Sequence, residues 1–195
     1  MKDENTLLQA AKKLDQNALS MIFDSYAPAI YAYIFRFCHD PIDSDDMVGD
    51  VFAQLLQNLA AGRGPVTNLR SYLYRIAYHL VIERVRNHPQ SVSLGLCAAR
   101  SERMTDSPQQ AQVEANALMD LFMRAINEEL NDLERHVIIL RFIEGFSLRE
   151  TAGIMDKKLN HVKVLQSRGM AKLRRSIGLR FKGDWQALSS SQANS

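Results

Sequence analysis

Along most of this chain the hydrophobic residues recur at intervals of three and four, the spacing that lines one side of an α-helix. Leu7, Leu8, Ala11 and Leu14 predict a short amphipathic turn. After Asp15 the set Leu19, Ile22, Phe23, Tyr26, Ile30, Tyr33, Ile34 and Phe37 predicts the inner side of a longer helix, kinked where Pro28 removes a backbone donor and ended by His39-Asp40-Pro41. Asp43-Ser44-Asp45-Asp46 opens a second long helix, its acids placed where the positive end of the helix dipole favours them. Met47, Val48, Val51, Phe52, Leu55, Leu56 and Leu59 form its buried side, and Gly49 in mid-helix costs about 1 kcal/mol relative to alanine. Two glycines and a proline make Ala60 to Asn68 a loop. A third helix runs from about Leu69 to Arg86 with Leu69, Leu73, Ile76, Leu80 and Val81 inward, while Tyr72, Arg75, His79 and Arg86 share another side.

From Asn87 to Gln112 the periodicity disappears into a stretch rich in Ser, Gln and Pro, longer than an ordinary connection within a compact domain. The helical period resumes at Val113 with Leu118, Leu121, Phe122, Ala125, Ile126 and Leu130. Asn131 or Asp132 then caps a helix carrying Leu133, Val137, Ile138, Leu140 and Phe142, and Gly145 stops it. Ser147 and Glu150 form a capping-box pattern for a short helix over Leu148–Met155. A turn around Asp156 to Lys158 leads into a helix from about Leu159 to Ile177, on which Val162, Leu165, Gly169 and Leu173 make the apolar stripe. After Trp185 the tail is polar and is expected to fray. The pattern therefore predicts an all-α protein: two small helical domains joined by a flexible linker.

Charge sharpens the picture. The formal net charge is only +2, yet Lys157 to Lys182 holds nine cations and no acid. Residues 1–87 carry nine cations against ten acids, and residues 114–156 carry four against nine. A balanced chain that gathers its positive charge into one segment offers that segment to a polyanion. Two helices joined by a tight turn, the second basic, outline a helix-turn-helix that enters a major groove. A solvated face, or a helix that lies on a membrane surface or a partner, has the same charge pattern. On the third helix, aromatics interleaved with cations suit unpaired bases and phosphates, and equally suit core edge and solvent. Two cysteines, Cys38 and Cys97, are too few for a disulfide scaffold and have no metal-ligand spacing. No apolar run follows the opening residues and no stretch reaches membrane-spanning length, so the expectation is a soluble cytoplasmic protein without membrane insertion.

Three segments together resemble a bacterial RNA polymerase sigma factor of the sigma-70 family, in the compact extracytoplasmic-function (ECF) group that keeps sigma regions 2 and 4. DSDDMVGDVFAQLL is similar to the family's acidic polymerase-binding helix and NLRSYLYRIAYHLVIERVR to its promoter-melting helix. LNDLERHVIILRFIEGFSLRETAGIMDKKLNHVKVLQSRGMAKLRR is similar to region 4. The resemblance implies region 2 over residues 1–87, a linker over 88–112, region 4 over 113–182 and a polar tail over 183–195. It implies that Asp45, Asp46, Asp50 and Phe52 meet the clamp helices of the polymerase largest subunit, with a further contact to the flap region. It implies that Gly62, Arg63, Asn68, Arg70, Tyr72, Arg75 and His79 hold a single-stranded minus-10 element. Lys157, Lys158, Asn160, His161, Lys163, Arg168 and Lys172 would meet duplex minus-35 DNA, the early helix residues at base edges and the others nearer phosphates. An anti-sigma factor is the further partner implied, and no cofactor, metal or catalytic residue.

Departures from the family pattern are local. Gly49 stands where glutamine is usual, Tyr72 for tryptophan, His79 for asparagine and Glu83 for aspartate. The recognition core, commonly Gly-Thr-Val-Lys-Ser-Arg, is Asn160-His161-Val162-Lys163-Val164-Leu165. Loss of an arginine at 165 removes the commonest base reader, so the promoter sequence does not carry over.

Two rival functions fit parts of the chain. One is a free helix-turn-helix regulator that binds an operator without polymerase. The other is a metal phosphohydrolase, suggested by the dipeptide His39-Asp40, which needs further ligands converging from His79, His88, His136 or His161.

Overall fold

The computed structural model describes residues 4–87 and 110–192; the proposed linker, apart from its last three residues, lies outside them, as do His88 and Cys97. Among the described residues every regular element is helical, and the helices fall into two compact units.

The first unit holds α1 (Glu4–Lys12), α2 (Gln16–Cys38), α3 (Pro41–Ala60) and α4 (Leu69–Asn87). Each break has a local cause. Leu14 turns left-handed at φ 58°, and Asp15 then caps α2, its carboxylate accepting from Ala18 N at 2.8 Å. His39, at φ 55°, closes α2 with its N–H on Phe35 O. Its neighbour Asp40 caps α3 by accepting from Asp43 N at 2.9 Å, and Pro41 occupies the first turn, where a missing N–H is harmless. The tripeptide that ends one helix thus also starts the next, and α3 begins ahead of the acid cluster expected to open it. α2 runs unbroken through the exposed Pro28.

α2, α3 and α4 pack on one another over Ile22, Ile30, Tyr33 and Ile34, Val51 and Leu55, and Leu69, Leu73, Tyr74 and Ala77. The Tyr33 and Tyr74 rings meet edge to face, 5.3 Å between centroids. α1 contributes Leu8 and Ala11, and its Glu4 carboxylate accepts from Leu69 N at 2.9 Å, satisfying an orphan donor at the start of α4. Arg84 near the end of α4 pairs with Asp43 in the first turn of α3. Leu14, Phe23 and Leu56, read from the period as inward, are 46%, 45% and 41% exposed. Leu14 has left the helix, and the other two sit at the margins of stripes wider than the contact. Tyr74 and Tyr78 are buried although the period left them out, because α4 touches both α2 and α3 and buries a wider arc than one stripe.

The second unit holds α5 (Gln110–Glu129), α6 (Asp132–Ile138), a π-helical turn (Ile139–Ile143), α7 (Leu148–Ile154) and α8 (Leu159–Gln192). Asn131 caps α6 in a complete capping box: its side chain accepts from Glu134 N at 2.9 Å and its own N–H reaches Glu134 Oε2 at 3.2 Å. The Arg135 guanidinium donates to Asn127 O at 3.2 Å, occupying a free carbonyl at the end of α5. The π-helical turn adds one residue to the register, which leaves Phe142 48% exposed although its spacing reads inward. Gly145 at φ 76° then ends the element. Ser147 and Glu150 exchange their capping-box bonds at 3.2 and 2.8 Å, and Asp156 at φ 51° makes the turn before α8. α8 continues to Gln192, so the helix extends well past Ile177 into the segment read as a frayed tail.

α8 lies against α5 and α6. A Cβ built on Gly169 would stand 3.1 Å from Ile138 Cγ1 and 3.7 Å from Glu134 Cβ, so glycine is what lets α8 approach α6 this closely. Nothing lies within 4 Å of the corresponding position at Gly49, on the exposed side of α3. Replacing each by alanine should therefore act in opposite directions. Gly49→Ala gains about 1 kcal/mol of helix propensity. Gly169→Ala gains the same but must displace the fully buried Ile138, for a net loss of about 1 kcal/mol. Denaturant titrations of the two variants check the sign.

His136 in α6 is 1% exposed, and burial, helped by the nearby Arg135 charge, pushes its imidazole down to about 3. The unfolded chain takes up a proton near pH 6.5 that the folded chain refuses until about pH 3. Stability is therefore full above pH 6.5 and falls between there and pH 3, by up to about 1.4 kcal/mol per pH unit. Denaturation midpoints measured across that window should show the slope, and His136→Gln should flatten it.

Candidate nucleic-acid interface

The site begins with the two sides of α8. Val162, Leu165 and Leu173 are buried with Gly169 between them, which fixes the orientation of the helix. At about 100° per residue, Asn160, Val164, Ser167 and Ala171 then lie along the line opposite that stripe. Lys163 and Arg174 flank this line on one side, His161 and Arg168 on the other, and all of these residues are exposed. Lys157 and Lys158 are exposed in the turn that precedes the helix. Leu165 is only 5% exposed, so the position where the family pattern carries arginine is part of the core here.

Lys172 is placed differently from the other cations. Its Nζ lies 2.7 Å from Glu134 Oε2, whose side chain is 3% exposed. The same carboxylate accepts from Asn131 N. Lys172 thus neutralises a buried acid that also caps α6. Arg141 is a residue whose role the helical period conceals. From the π-helical turn its Nε donates to Gln166 Oε1 on α8 at 3.0 Å, and its Nη1 donates to Phe146 O. That one guanidinium ties the turn before α7 to the middle of α8. The visible signal was a lone cation inside the apolar run ILRFI.

In the first unit, Tyr72, Arg75 and His79 follow one another along α4 with Arg75 and His79 exposed and Tyr72 half-buried. Asn68 supplies the start of α4: at φ 54° its side chain accepts from Ser71 N at 2.9 Å. Arg70 is half-buried, its guanidinium 5.5 Å from the centre of the Tyr74 ring. Gly62 at φ 67° bends the exposed loop after α3, with Arg63 beside it. The loop and the outward side of α4 therefore present Arg63, Arg75, Tyr72 and His79 to solvent, while Asn68 and Arg70 also have structural work.

On α3, Asp45, Asp46 and Asp50 are exposed, and Phe52 is buried, its ring 4.8 Å from that of Phe23. Asp45 and Val48 line a shallow groove with Phe23, Ala27, Pro28 and Tyr31 of α2. Partial burial, then the Asp45 and Asp40 carboxylates, raise the Tyr31 phenol above its ordinary value. Phe23 and half-buried Tyr31 belong to this acidic surface; the period alone places Phe23 in the core and omits Tyr31, because their exposure depends on how α2 and α3 cross.

Metal chemistry finds no support among the described residues, which contain no group of three or more His, Cys, Asp or Glu able to hold an ion. His39 and Asp40 are accounted for as the end of α2 and the cap of α3. Cys38 is buried, its Sγ 3.5 Å from Met47 Sδ, and burial pushes its thiol up to about 11. No helix among the described residues is long and apolar enough to cross a membrane.

Two family models match the chain in order: sigma-70 region 2 over residues 22–89 and sigma-70 region 4 over residues 128–175. The ECF RNA polymerase sigma factor BldN of Streptomyces coelicolor is 25% identical over 175 residues, covering 88% of this chain. The chain spans 64% of the length of that relative. The ECF RNA polymerase sigma factor SigX of Bacillus subtilis is 25% identical over 170 residues, covering 84% of this chain and 86% of SigX. The solved structure of CnrH in complex with the cytosolic domain of CnrY shares the fold, with a TM-score of 0.65 at 21% identity over 90% of this chain and 97% of CnrH. With α3 and α4 inside the first match and the helix-turn-helix inside the second, the chain belongs to the sigma-70 family of bacterial RNA polymerase sigma factors, in its ECF group.

Proposed function

We propose that this chain binds core RNA polymerase and directs it to promoters by reading a minus-35 element as duplex and a minus-10 element as single strand. One observation carries the reading: the exposed acids of α3 and the exposed cations at the start of α8 sit on separate compact units. Asp45, Asp46 and Asp50, with the groove beside them, suit a cationic helical partner, the clamp helices of the largest subunit. Phe52 would contribute through Phe23, the groove residue it packs against. Region 4 would add the flap contact. On this reading region 2 spans 1–87, a linker 88–112, region 4 113–182 and a tail 183–195.

Duplex recognition falls to the exposed residues of α8. Asn160, His161 and Lys163 would face base edges, and Lys157, Lys158 and Arg168 would hold phosphates. Melting falls to α4 and the loop before it. Removing a base from the stack costs a few kcal/mol, and aromatic stacking returns about 1–3 kcal/mol per base. Tyr72 and His79 can supply stacking, and Arg63 and Arg75 phosphate contacts, with Gly62, Asn68 and Arg70 shaping the loop and the helix start. None of this calls for a catalytic side chain or cofactor, and the site of action is the cytoplasm. CnrH was solved with a protein partner, and an anti-sigma factor would hold this chain in the same manner.

Transcription reactions with and without core enzyme separate this reading from a free regulator: specific initiation only with core enzyme is expected, and tight operator binding by the chain alone, unchanged by core enzyme, would refute it. Three variants test the assignments. Lys163→Ala should weaken holoenzyme binding to duplex upstream DNA, lower the salt slope by about 1 and leave core binding intact. Asp46→Arg should abolish core binding by setting like charges together. Lys172→Ala should lower stability by about 1–2 kcal/mol in denaturant titrations, because it leaves the Glu134 carboxylate buried without its cation.

A further inference from the structure

We propose that Val164 reads a thymine in the upstream promoter element through the C5-methyl group, making it a specificity-determining residue of this chain; the inference rests on the polymerase-directing function above. Val164 is 46% exposed at the centre of the outward line of α8. A β-branched apolar side chain therefore stands about half exposed among polar neighbours. Its neighbours on that side, Asn160, Ser167, Lys163 and Arg168, are polar or charged and exposed. The apolar area is therefore one side chain wide, with Ala171 two turns further on, which is too small for a protein-docking patch.

In the major groove the only apolar feature on a base edge is the thymine methyl, and apolar side chains are its usual reader. The residues around Val164 fit that setting. Asn160, one turn before it, has the amide that pairs with adenine N6 and N7, while Lys163 and Arg168 reach guanine or phosphate on either flank. Leu165 is turned into the core, so the next residue along cannot share the role. A valine methyl against a thymine methyl, each only partly covered by the other, removes in all about one methyl's worth of apolar surface from water, enough for roughly three- to fivefold discrimination.

Run-off transcription of genomic fragments by core enzyme plus the full chain identifies a promoter. On that promoter each upstream thymine is replaced singly by deoxyuridine, which deletes only the methyl, and holoenzyme affinity is measured with the chain itself, Val164→Ala and Val164→Thr. One thymine should lose roughly three- to fivefold in affinity on conversion with the chain itself, and nothing on conversion with Val164→Ala. Val164→Thr, which keeps a methyl and the branch, should retain part of the discrimination, and core binding by all three should be equal. The proposal is overturned if no upstream thymine is methyl-sensitive, or if the sensitivity persists unchanged in Val164→Ala. Failure to initiate on any fragment would instead remove the polymerase reading, and this inference with it.

Discussion

The contact between α8 and α6 at Gly169 and Ile138 is the constraint on which the candidate nucleic-acid surface of the second unit depends. A helix that carries nucleic-acid contacts has to be held in rotation about its own axis, because a turn of about 100° would exchange base-facing residues for core. Here the rotation is fixed by close approach at glycine, by the buried side chains of Val162, Leu165 and Leu173, and by Lys172 on the buried Glu134. The Arg141 guanidinium adds a polar tie from the preceding turn to Gln166. Everything the outward side presents follows from that fixed orientation.

Glu134 shows how tightly cap, core and charge are coupled in this unit. The same carboxylate completes the capping box on Asn131 and accepts the Lys172 ammonium, while its own side chain is almost fully buried. A buried acid of this kind is stable only when its partners are all present. The consequence for recognition is that one cation of the basic run is committed to the fold. The remaining cations at the start of α8 and in the turn before it are the ones with freedom to meet phosphate.

The first unit solves the complementary problem, presenting acids on one helix and aromatics with cations on another over a common core. Tyr33 and Tyr74 fill its centre, and the Arg84–Asp43 pair joins the end of α4 to the start of α3. The tie fixes where the exposed acids of α3 begin. Phe23, exposed beside Asp45, Val48 and Tyr31, gives that acidic surface an apolar floor. A partner helix with cations at its edges and an apolar stripe matches such a surface through both terms at once.

Much was legible in the sequence for a simple reason: helix periodicity, capping boxes and charge runs are local. The spacing of Ile22, Ile30, Tyr33 and Ile34, the Ser147–Glu150 and Asn131 caps, the Gly145 stop and the cations from Lys157 onward all follow from residues within a few turns of one another. What the spacing could not supply was the width of each buried arc, which depends on how many neighbours a helix meets. Tyr74 and Tyr78 are therefore core despite lying off the stripe, whereas Phe23, Leu56 and Phe142 are exposed despite lying on it. Nor could a linear pattern tell a cation left exposed from one paired with a distant acid: Lys172 and Glu134 are 38 residues apart and meet where α8 packs on α6. Local chemistry determined the helices and their faces; packing decided which of those faces remain available to a partner.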